Sequence, residues 1–408
     1  MKAAVALAIL ALASTQAQAQ GRARDLGIPF EGTPGALNAI TDVPGVEIGH
    51  KTLIAGEGPL KIGAGPVRSG VTMIFPRGRG DARAVYGGFF NLNGNGEMTG
   101  RAYLDDYGIV QGPIGLSDTN AVGQVYAGIQ QWTAKRFGSA TWPVVAETWS
   151  GYLSDIEGFH VTAETAIAAL DAARPGAVAE GNVGGGTGMV CFGFKGGIGT
   201  ASRVVAIGGK SYTVGVLAQC NTGDRKVLRI AGAPVGQALA RRWLPCVDPQ
   251  LVDPKLSAKP GRFPPCTADG SKGRAPPDQG SIIIVVGTDA PLMPKQLDRV
   301  ARRAALGLGR LGSYAGNASG DLIVSFSTAT AEVNHAEQNE PSAILPVANA
   351  RIDPIFEAAA QASEEAIVNA LVAARTMTGV DGTRFFALPH DELRAILKRY
   401  NRIEGPRR

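Results

Sequence analysis

Apolar and polar residues follow one another along the chain in patterns that predict both buried strands and amphipathic helices. Short runs rich in β-branched residues, bounded by Gly, Pro or Asp, are typical of buried strands. Such runs lie at residues 71–75, 144–146, 204–207, 212–220, 281–286 and 322–326. Helical periodicity is present at residues 120–135, 162–173, 295–306 and 353–374. The last helix has Asp353 as its predicted N-cap and Pro354 at its first position. Together these elements predict layered α/β packing.

The segment of residues 244–279 departs from these patterns. It is rich in proline, carries several Lys and Asp residues and has almost no apolar periodicity, so we predict an exposed loop. A linker between domains is the alternative for such a composition. The segment leads directly into the apolar run 281–286. An accessible loop therefore meets a buried strand at the Gly280–Ser281 bond.

Composition favours one large globular domain behind a secretory signal. Of the 408 residues, 45% are hydrophobic and 18% charged, and no long charged or Ser-rich stretch divides the chain. Lys2, a short apolar stretch over residues 3–13 and the small residues Ala17 and Ala19 predict a signal peptide over residues 1–19. The apolar stretch is too short for a retained membrane anchor. We expect a periplasmic or secreted protein whose mature chain begins near Gln20.

Charge narrows the range of binding partners, and the cysteines indicate where disulfides could form. The net charge of +5 comes from scattered Lys and Arg residues, so we expect neither nucleic acid nor, after signal removal, a membrane as partner. Four cysteines in an exported protein permit disulfides. Cys246 and Cys266 flank part of the proline-rich segment, which a bridge between them would tie down. Cys191 and Cys220 lie in apolar runs, and we predict that they are plain core residues.

The Gly280–Ser281 bond offers the chemistry of self-cleavage. The Ser281 hydroxyl can attack the preceding carbonyl and turn the amide into an ester, and water then releases a new chain that starts at Ser281. Glycine at position 280 removes side-chain bulk from that step. The product carries a hydroxyl and an α-amine with a pKa of roughly 8 on one residue, so it needs no histidine as base. An ordinary loop-to-strand junction is the alternative interpretation of the same residues.

Other chemistries lack their sequence signatures. No serine lies in a Gly-x-Ser-x-Gly elbow, and the four histidines occur singly, without the His-x-x-x-His spacing of a zinc site. Residues 208–211 end like a phosphate loop but lack its first glycine, so we predict a turn between strands. Residues 307–312 match a dinucleotide fingerprint but follow a helix, so we predict a helix C-terminal turn. The sequence predicts no metal and no cofactor.

Several longer motifs occur in one order along the chain. They lie at residues 40–46 (ITDVPGV), 87–97 (GGFFNLNGNGE), 181–189 (GNVGGGTGM), 280–281 and 316–321 (GNASGD). In these motifs the chain resembles the L-aminopeptidase D-Ala-esterase/amidase family, which includes the β-peptidyl aminopeptidases. The resemblance spans nearly all of the mature chain.

The resemblance implies a fold and a processing event. Members of this family are made as one precursor, which is cleaved before a serine into α and β chains that stay together in a four-layer α/β/β/α sandwich. The α chain would cover residues 20–280 and the β chain residues 281–408 of the same catalytic domain. Assemblies of αβ units, and therefore a homo-oligomer, are also implied.

The resemblance further implies the roles of individual residues. Ser281 matches the nucleophile that forms an acyl-enzyme. Ser319 and Asp321 match the second serine and the acidic residue that orient its amine and hydroxyl, and a turn entering a strand is compatible with those residues as well. Asn221 matches an asparagine whose amide donates to the oxyanion, where a turn cap is the alternative. Glu147 matches the acid that pairs with the free amino group of the substrate, where a surface carboxylate is the alternative.

One departure from the family pattern affects the substrate pocket. Relatives show Glu-Thr-Tyr-Asp where this chain has Glu147, Thr148, Trp149 and Ser150. The tyrosine hydroxyl is missing, and the Trp149 indole can donate but neither accept nor titrate. We therefore expect a reshaped substrate pocket at Trp149. The sequence leaves α-peptides, β-peptides, D-amino acid amides and esters open as substrates.

Three functions follow in order of preference. The first is an exported aminopeptidase or amidase that cleaves the amide next to a free amino group in small peptides or amino-acid amides. The second is an acyltransferase or amide-oligomer hydrolase of the same fold, although such relatives typically present threonine as nucleophile. The third is a non-enzymatic periplasmic binding protein in which the Gly280–Ser281 bond stays intact.

Overall fold

The computed structural model describes residues 21–81, 83–252, 263–271, 273, 275–276, 280–329 and 344–403 of the chain. The predicted signal peptide, Gln20 and the middle of the proline-rich segment lie outside the described residues.

Two main sheets form the centre of the molecule. The four-stranded sheet consists, in spatial order, of β1 (Glu47–Ala55), β2 (Val67–Phe75), β5 (Ile114–Asp118) and β6 (Val145–Thr148). The six-stranded sheet consists, in spatial order, of β4 (Ile109–Val110), β3 (Val85–Gly94), β13 (Gly320–Ser327), β12 (Ser281–Thr288), β10 (Lys210–Asn221) and β9 (Gly197–Ile207). Only the neighbours β5 and β6, and β12 and β13, run parallel within these two sheets.

Smaller strands and the helices complete the described fold. A three-stranded sheet has the order β11 (Cys246–Val247), β15 (Thr383–Phe385) and β14 (Met377–Thr378), and a hairpin joins β7 (Val190–Cys191) to β8 (Phe194–Lys195). The helices are α1 (Arg101–Tyr107), α2 (Val122–Phe137), α3 (Ala163–Asp171), α4 (Val235–Ala238), α5 (Pro294–Arg310), α6 (Asp353–Ala373) and α7 (His390–Arg399). None of the helices in the described ranges combines the length and apolarity that a bilayer span requires.

Three stacked hydrophobic cores define four layers. On β12, Ile282 and Ile284 pack into a core with α5 and α6, whereas Ile283 and Val285 face a second core between the two sheets. A third core lies between the four-stranded sheet and helices α2 and α3. The predicted α/β/β/α sandwich is therefore confirmed. Because both faces of β12 are buried, its sequence is continuously apolar and does not alternate.

The predicted elements lie where the sequence placed them, with differences at their ends. All six apolar runs fall largely or wholly within strands, and all four periodic segments fall largely or wholly within helices. The N-cap of α6 is Ile352, and Asp353 is already its first helical residue. The turn predicted between strands lies at residues 208–209. Helix α5 extends to Arg310, so most of the stretch 307–312 belongs to the helix and only its end forms a turn.

The prediction for two cysteines is wrong. Cys191 and Cys220 are fully buried, as expected of core residues, but they form a disulfide with each other. The two residues are 29 positions apart in sequence and become neighbours because β7 packs beside the end of β10. Cys246 and Cys266 form a second disulfide, as the sequence allowed.

The exposed-loop prediction for residues 244–279 is wrong for part of the segment. Leu244, Cys246 and Ser271 are buried. Strand β11, at Cys246–Val247, pairs with β15 from the C-terminal part of the chain. The reason is a partner distant in sequence, because pairing with β15 satisfies backbone groups that a free loop would leave to water.

Candidate active site

Ser281 begins the central strand β12 and is almost fully buried, with 5% of its surface exposed. It lies opposite Asn221 on the antiparallel neighbour β10 and opposite Gly320 on the parallel neighbour β13. Directly paired residues on adjacent strands lie within side-chain reach of each other. The ends of three strands therefore place the predicted nucleophile beside the predicted oxyanion donor and the Ser319–Asp321 region.

The backbone N–H of Gly320 connects the nucleophile with the bond before it. This N–H donates to the Gly280 carbonyl oxygen at 3.1 Å and lies 3.3 Å from Ser281 Oγ. A donor on that carbonyl withdraws electron density from the carbon that Ser281 Oγ would attack. Among the described residues, Ser281 Oγ accepts a hydrogen bond from the Gly320 N–H, whereas the Ser319 hydroxyl bonds Asp321 and Thr222.

Close packing requires glycine at positions 280 and 320. A Cβ at position 280 would lie 1.5 Å from the Asn221 carbonyl oxygen. A Cβ at position 320 would lie 2.3 Å from the Asn95 carbonyl oxygen and 2.9 Å from Ser281 Oγ. The backbone at both positions therefore approaches its neighbours more closely than any side chain allows.

Ser319 and Asp321 form a buried polar chain beside Gly320. The Ser319 hydroxyl donates to Asp321 Oδ1 at 2.7 Å, and Thr222 Oγ1 lies 2.9 Å from Ser319 Oγ. Ser319 and Asp321 are fully buried, and Thr222 is nearly so. Buried polar groups are retained where hydrogen bonds satisfy them, and the chain fixes the direction of the Ser319 hydroxyl.

Two asparagines of the 87–97 motif hold the 316–321 motif in place. Asn93 Nδ2 donates to the carbonyl oxygens of Gly316 and Ser319, both at 2.6 Å. Asn95 Nδ2 donates to the Ala318 carbonyl at 2.7 Å. The turn before β13 is therefore hydrogen-bonded to the end of β3. This arrangement sets the direction of the Gly320 N–H.

Both the oxygen and the nitrogen of the Asn221 side-chain amide are hydrogen-bonded. Its Oδ1 accepts from the Val190 N–H at 2.7 Å, and its Nδ2 donates to the Trp149 carbonyl at 2.9 Å. These partners distinguish the oxygen from the nitrogen, because Oδ1 can only accept and Nδ2 can only donate. An amide nitrogen carries two hydrogens, so Nδ2 has one to offer to an oxyanion at the neighbouring Ser281.

Glu147 lies at the end of β6 and is 4% exposed, so it is not a surface carboxylate. Its Oε1 accepts from the Glu97 N–H at 3.0 Å, and its Oε2 accepts from the Thr119 hydroxyl. Burial raises the pKa of Glu147 above the ordinary glutamate value, and these two hydrogen bonds oppose that shift.

Glu147 is also close to Gly320, the residue that pairs with Ser281 on the neighbouring strand. A Cβ built at Gly96 would lie 3.0 Å from Glu147 Oε1 and 3.5 Å from Gly320 Cα. The carboxylate and the Gly320 backbone thus border the same small volume. A cation that pairs with Glu147 would be held near the start of β12.

Trp149 lies at the rim of the site, with 36% of its surface exposed. Its carbonyl holds Asn221, while its ring packs edge-on against Tyr152, with 4.9 Å between ring centroids. Tyr152 in turn contacts Phe263 of the proline-rich segment and Phe385 of β15. These residues form a cluster of four aromatic rings, and the reshaping of the substrate pocket at position 149 stays a prediction.

Ser150, where relatives show aspartate, donates to a second buried acid. Asp118 accepts from the Ser69 hydroxyl and from Ser150 Oγ, the latter at 3.4 Å. Burial raises the pKa of Asp118 to about 6. An aspartate at position 150 would place another carboxylate against it.

Sequence reasoning passed over Gly320, Asn93, Asn95 and Thr222. Gly320 acts through a backbone N–H, which every residue except proline has and which leaves no side-chain signal. The signal that could have found the asparagines is the Asn-x-Asn spacing within the 87–97 motif.

The described residues contain no group of three or more His, Cys, Asp or Glu side chains that could hold a metal ion.

Comparisons with known proteins agree on one family. The model of peptidase family S58 matches residues 38–385. The protein named beta-peptidyl aminopeptidase BapA from Sphingosinicella microcystinivorans is 53% identical over 384 residues, which cover 94% of this chain and 93% of the relative. A protein of the same name from Sphingosinicella xenopeptidilytica is 47% identical over 382 residues, which cover 92% of this chain and 91% of the relative.

A solved structure has the same fold. The L-aminopeptidase D-Ala-esterase/amidase from Ochrobactrum anthropi, described as a variant of the Ntn hydrolase fold, matches with a TM-score of 0.80 and 41% sequence identity. The match covers 94% of this chain and 99% of that protein. The similarity therefore extends over the whole sandwich, including the strand that begins at Ser281.

Proposed function

Because the chain belongs to peptidase family S58 and is a peptide-bond hydrolase with an N-terminal serine nucleophile, we propose that it is an exported β-peptidyl aminopeptidase activated by self-cleavage at Gly280–Ser281. One observation carries the proposal: the Gly320 N–H donates to the Gly280 carbonyl and also contacts Ser281 Oγ. The carbonyl of the bond to be cleaved and the Ser281 hydroxyl that would attack it therefore share one hydrogen-bond donor.

Self-cleavage begins with attack of Ser281 Oγ on the Gly280 carbonyl carbon. The C–O bond forms, the C–N bond breaks, and the hydroxyl proton passes to the departing nitrogen, which becomes the α-amine of Ser281. During the attack, the Gly320 N–H stabilises the charge on the Gly280 oxygen. Water then hydrolyses the ester, leaving a carboxylate on Gly280 and a free hydroxyl on Ser281.

Turnover of substrate repeats the attack on an external amide. The Ser281 α-amine takes the hydroxyl proton as Oγ attacks, and it returns that proton to the leaving amine. Asn221 Nδ2 and the Gly320 N–H lie on the two strands that flank Ser281, where they would stabilise the oxyanion. Ser319, fixed by Asp321 and Thr222, would orient the amine and hydroxyl of the nucleophile.

Glu147 supplies the aminopeptidase selectivity in this proposal. A buried carboxylate beside Gly320 offers a counter-ion to a substrate ammonium, and pairing would recover part of the cost of its burial. A substrate must then present its free amine near the reacting carbonyl. Support for a β-amino acid in that position comes from the two relatives named beta-peptidyl aminopeptidase.

After cleavage the two chains would remain together as one αβ unit. Strands β12 and β13, from the part after Gly280, lie between β3 and β10, which precede it. Export rests on the N-terminal segment, where Lys2, the apolar stretch and Ala17 and Ala19 form the signal pattern. We place the mature protein in the periplasm or outside the cell.

The first test is the chain composition of the purified protein. Wild type should give two chains on a denaturing gel, the smaller beginning at Ser281 by N-terminal sequencing, and Ser281→Ala should give one. A wild type that stays a single chain, or a fragment that begins elsewhere, would contradict the proposal.

The second test is substrate choice. Matched p-nitroanilides of α- and β-amino acids, with and without a blocked amine, separate the substrate classes. We expect the free β-amino compounds to be hydrolysed fastest. Acyl transfer to an added amine in preference to water would instead indicate an acyltransferase.

A further inference from the structure

The hairpin of β7 and β8 lies directly against the predicted oxyanion donor. Its Val190 N–H donates to Asn221 Oδ1 at 2.7 Å, on the far side of the amide from the Nδ2 group that would contact the oxyanion. A shift of this N–H would rotate or release the amide. The Val190 N–H and the Trp149 carbonyl together therefore set where Asn221 Nδ2 points.

The Cys191–Cys220 disulfide flanks this hydrogen bond on both strands. Cys191 follows Val190, and Cys220 precedes Asn221, so each cysteine is the chain neighbour of one hydrogen-bonding residue. The cysteines are fully buried, with 5.5 Å between their Cα atoms. A covalent link one residue away limits how far the Val190 N–H and the Asn221 side chain can separate.

Two buried basic side chains hold the same hairpin. Lys195 Nζ, fully buried, donates to the carbonyls of Met189 and Gly196 at 2.7 and 2.8 Å. The fully buried Arg225 donates to the carbonyls of Phe192 and Gly193 in the hairpin turn. Burying a polar group is costly unless it is hydrogen-bonded, so the hydrogen bonds of both side chains hold the hairpin backbone in one position.

We propose that the Cys191–Cys220 disulfide is a positioning element for catalysis, which holds Val190 so that the Asn221 amide points at the oxyanion. This inference rests on the proposed role of Asn221. Lys195 and Arg225 fix the hairpin itself, and the disulfide fixes the hairpin to the strand that carries Asn221.

The test compares the two disulfides of the same protein. The double variant Cys191→Ala/Cys220→Ala removes the link next to Asn221, and Cys246→Ala/Cys266→Ala is the matched control in the proline-rich segment. Because small displacements of a catalytic group cost large factors, we expect kcat to fall about 10- to 100-fold in the first variant, with a smaller change in KM. The control should keep the kcat of wild type.

A double-mutant cycle with Asn221→Ala tests whether the disulfide acts through Asn221. In that background, removal of Cys191–Cys220 should leave kcat unchanged, since there is no amide left to position. An equal loss of kcat in both backgrounds, or no loss in the wild-type background, would overturn the inference. Cys191→Val/Cys220→Ala, which refills the core, serves if the first variant does not fold.

The cycle also separates this inference from the proposed function. If Asn221→Ala alone keeps the kcat of wild type, the proposed role of Asn221 is wrong. If Asn221→Ala loses kcat but the disulfide variants behave like the control, only the positioning role is wrong.

Discussion

Replacing Asp118 by asparagine should stabilise the protein at neutral pH. The carboxyl group is buried beside Ser69 and Ser150, and burial raises its pKa from 3.8 to about 6. The hydrogen bonds from Ser69 and Ser150 oppose this rise in pKa, the charge of Glu147 adds to it, and that of His160 opposes it. Below pH 3.8 both folded and unfolded forms are protonated. Between pH 3.8 and 6 the folded form alone keeps its proton, so stability falls as the pH rises.

The magnitude follows from the difference between the two titrations. One pKa unit corresponds to about 1.36 kcal/mol, so ionised Asp118 costs about 3 kcal/mol of unfolding free energy above pH 7. Asparagine keeps an acceptor for Ser69 and carries no charge. An unfolding entropy of about 2.1 cal/mol/K per residue converts this to a rise of roughly 4 °C in the thermal midpoint at pH 8.

The assay is thermal unfolding followed by circular dichroism at pH 4 and pH 8. A Ser281→Ala background keeps the protein a single chain, so that unfolding is not complicated by chain dissociation. The exposed Asp106 of α1 offers a matched control, Asp106→Asn. Asp118→Asn should raise the midpoint at pH 8 and much less at pH 4. The same shift at both pH values, or none at pH 8, would refute the reasoning.

Three further predictions concern the site. Gly280→Ala should leave the precursor uncleaved on a denaturing gel, since its Cβ would lie 1.5 Å from the Asn221 carbonyl oxygen; normal processing would contradict this. Asn221→Ala should lower kcat by about 10²- to 10³-fold in a p-nitroanilide assay, with KM affected less; an unchanged kcat would exclude an oxyanion role. Burial raises the pKa of Glu147. As the pH decreases, kcat/KM for amine substrates should therefore begin to fall at a higher pH than it would if Glu147 had the ordinary glutamate pKa. Glu147→Gln should bind the amine poorly and lose that pH dependence, and a profile like that of wild type would rule Glu147 out.

Sequence reasoning predicts the parts of the fold whose burial is uniform or periodic. Strand β12 is apolar throughout because both its faces are buried, and α5 shows a clear amphipathic pattern. Strands β1 and β3 escaped prediction for the opposite reason. The second half of each strand is only partly buried, and β3 contains glycines and asparagines that are rare in strands.

The sequence could predict only those parts of the site that are formed by side chains. The resemblance identified Ser281, Ser319, Asp321, Asn221 and Glu147, and the structure brings all five to the region around the start of β12. Their roles remain predictions. Contacts made by backbone groups, such as the Gly320 N–H, depend on strand register and are not encoded in any single residue. The same is true of Cys191 and Cys220, which become neighbours only when β7 meets β10.

The strand order of the six-stranded sheet bears on how the protein is made. Moving across the sheet, the chain before Gly280 supplies β3, the chain after it supplies β13 and β12, and the earlier part returns with β10 and β9. While the bond is intact, these strands find one another within one molecule, and every molecule contains one copy of each half. A cut at Gly280 removes that tether, so refolding of denatured material becomes a bimolecular and concentration-dependent event. In the proposed processing, the precursor alone therefore contains the covalent link between the two halves of this sheet.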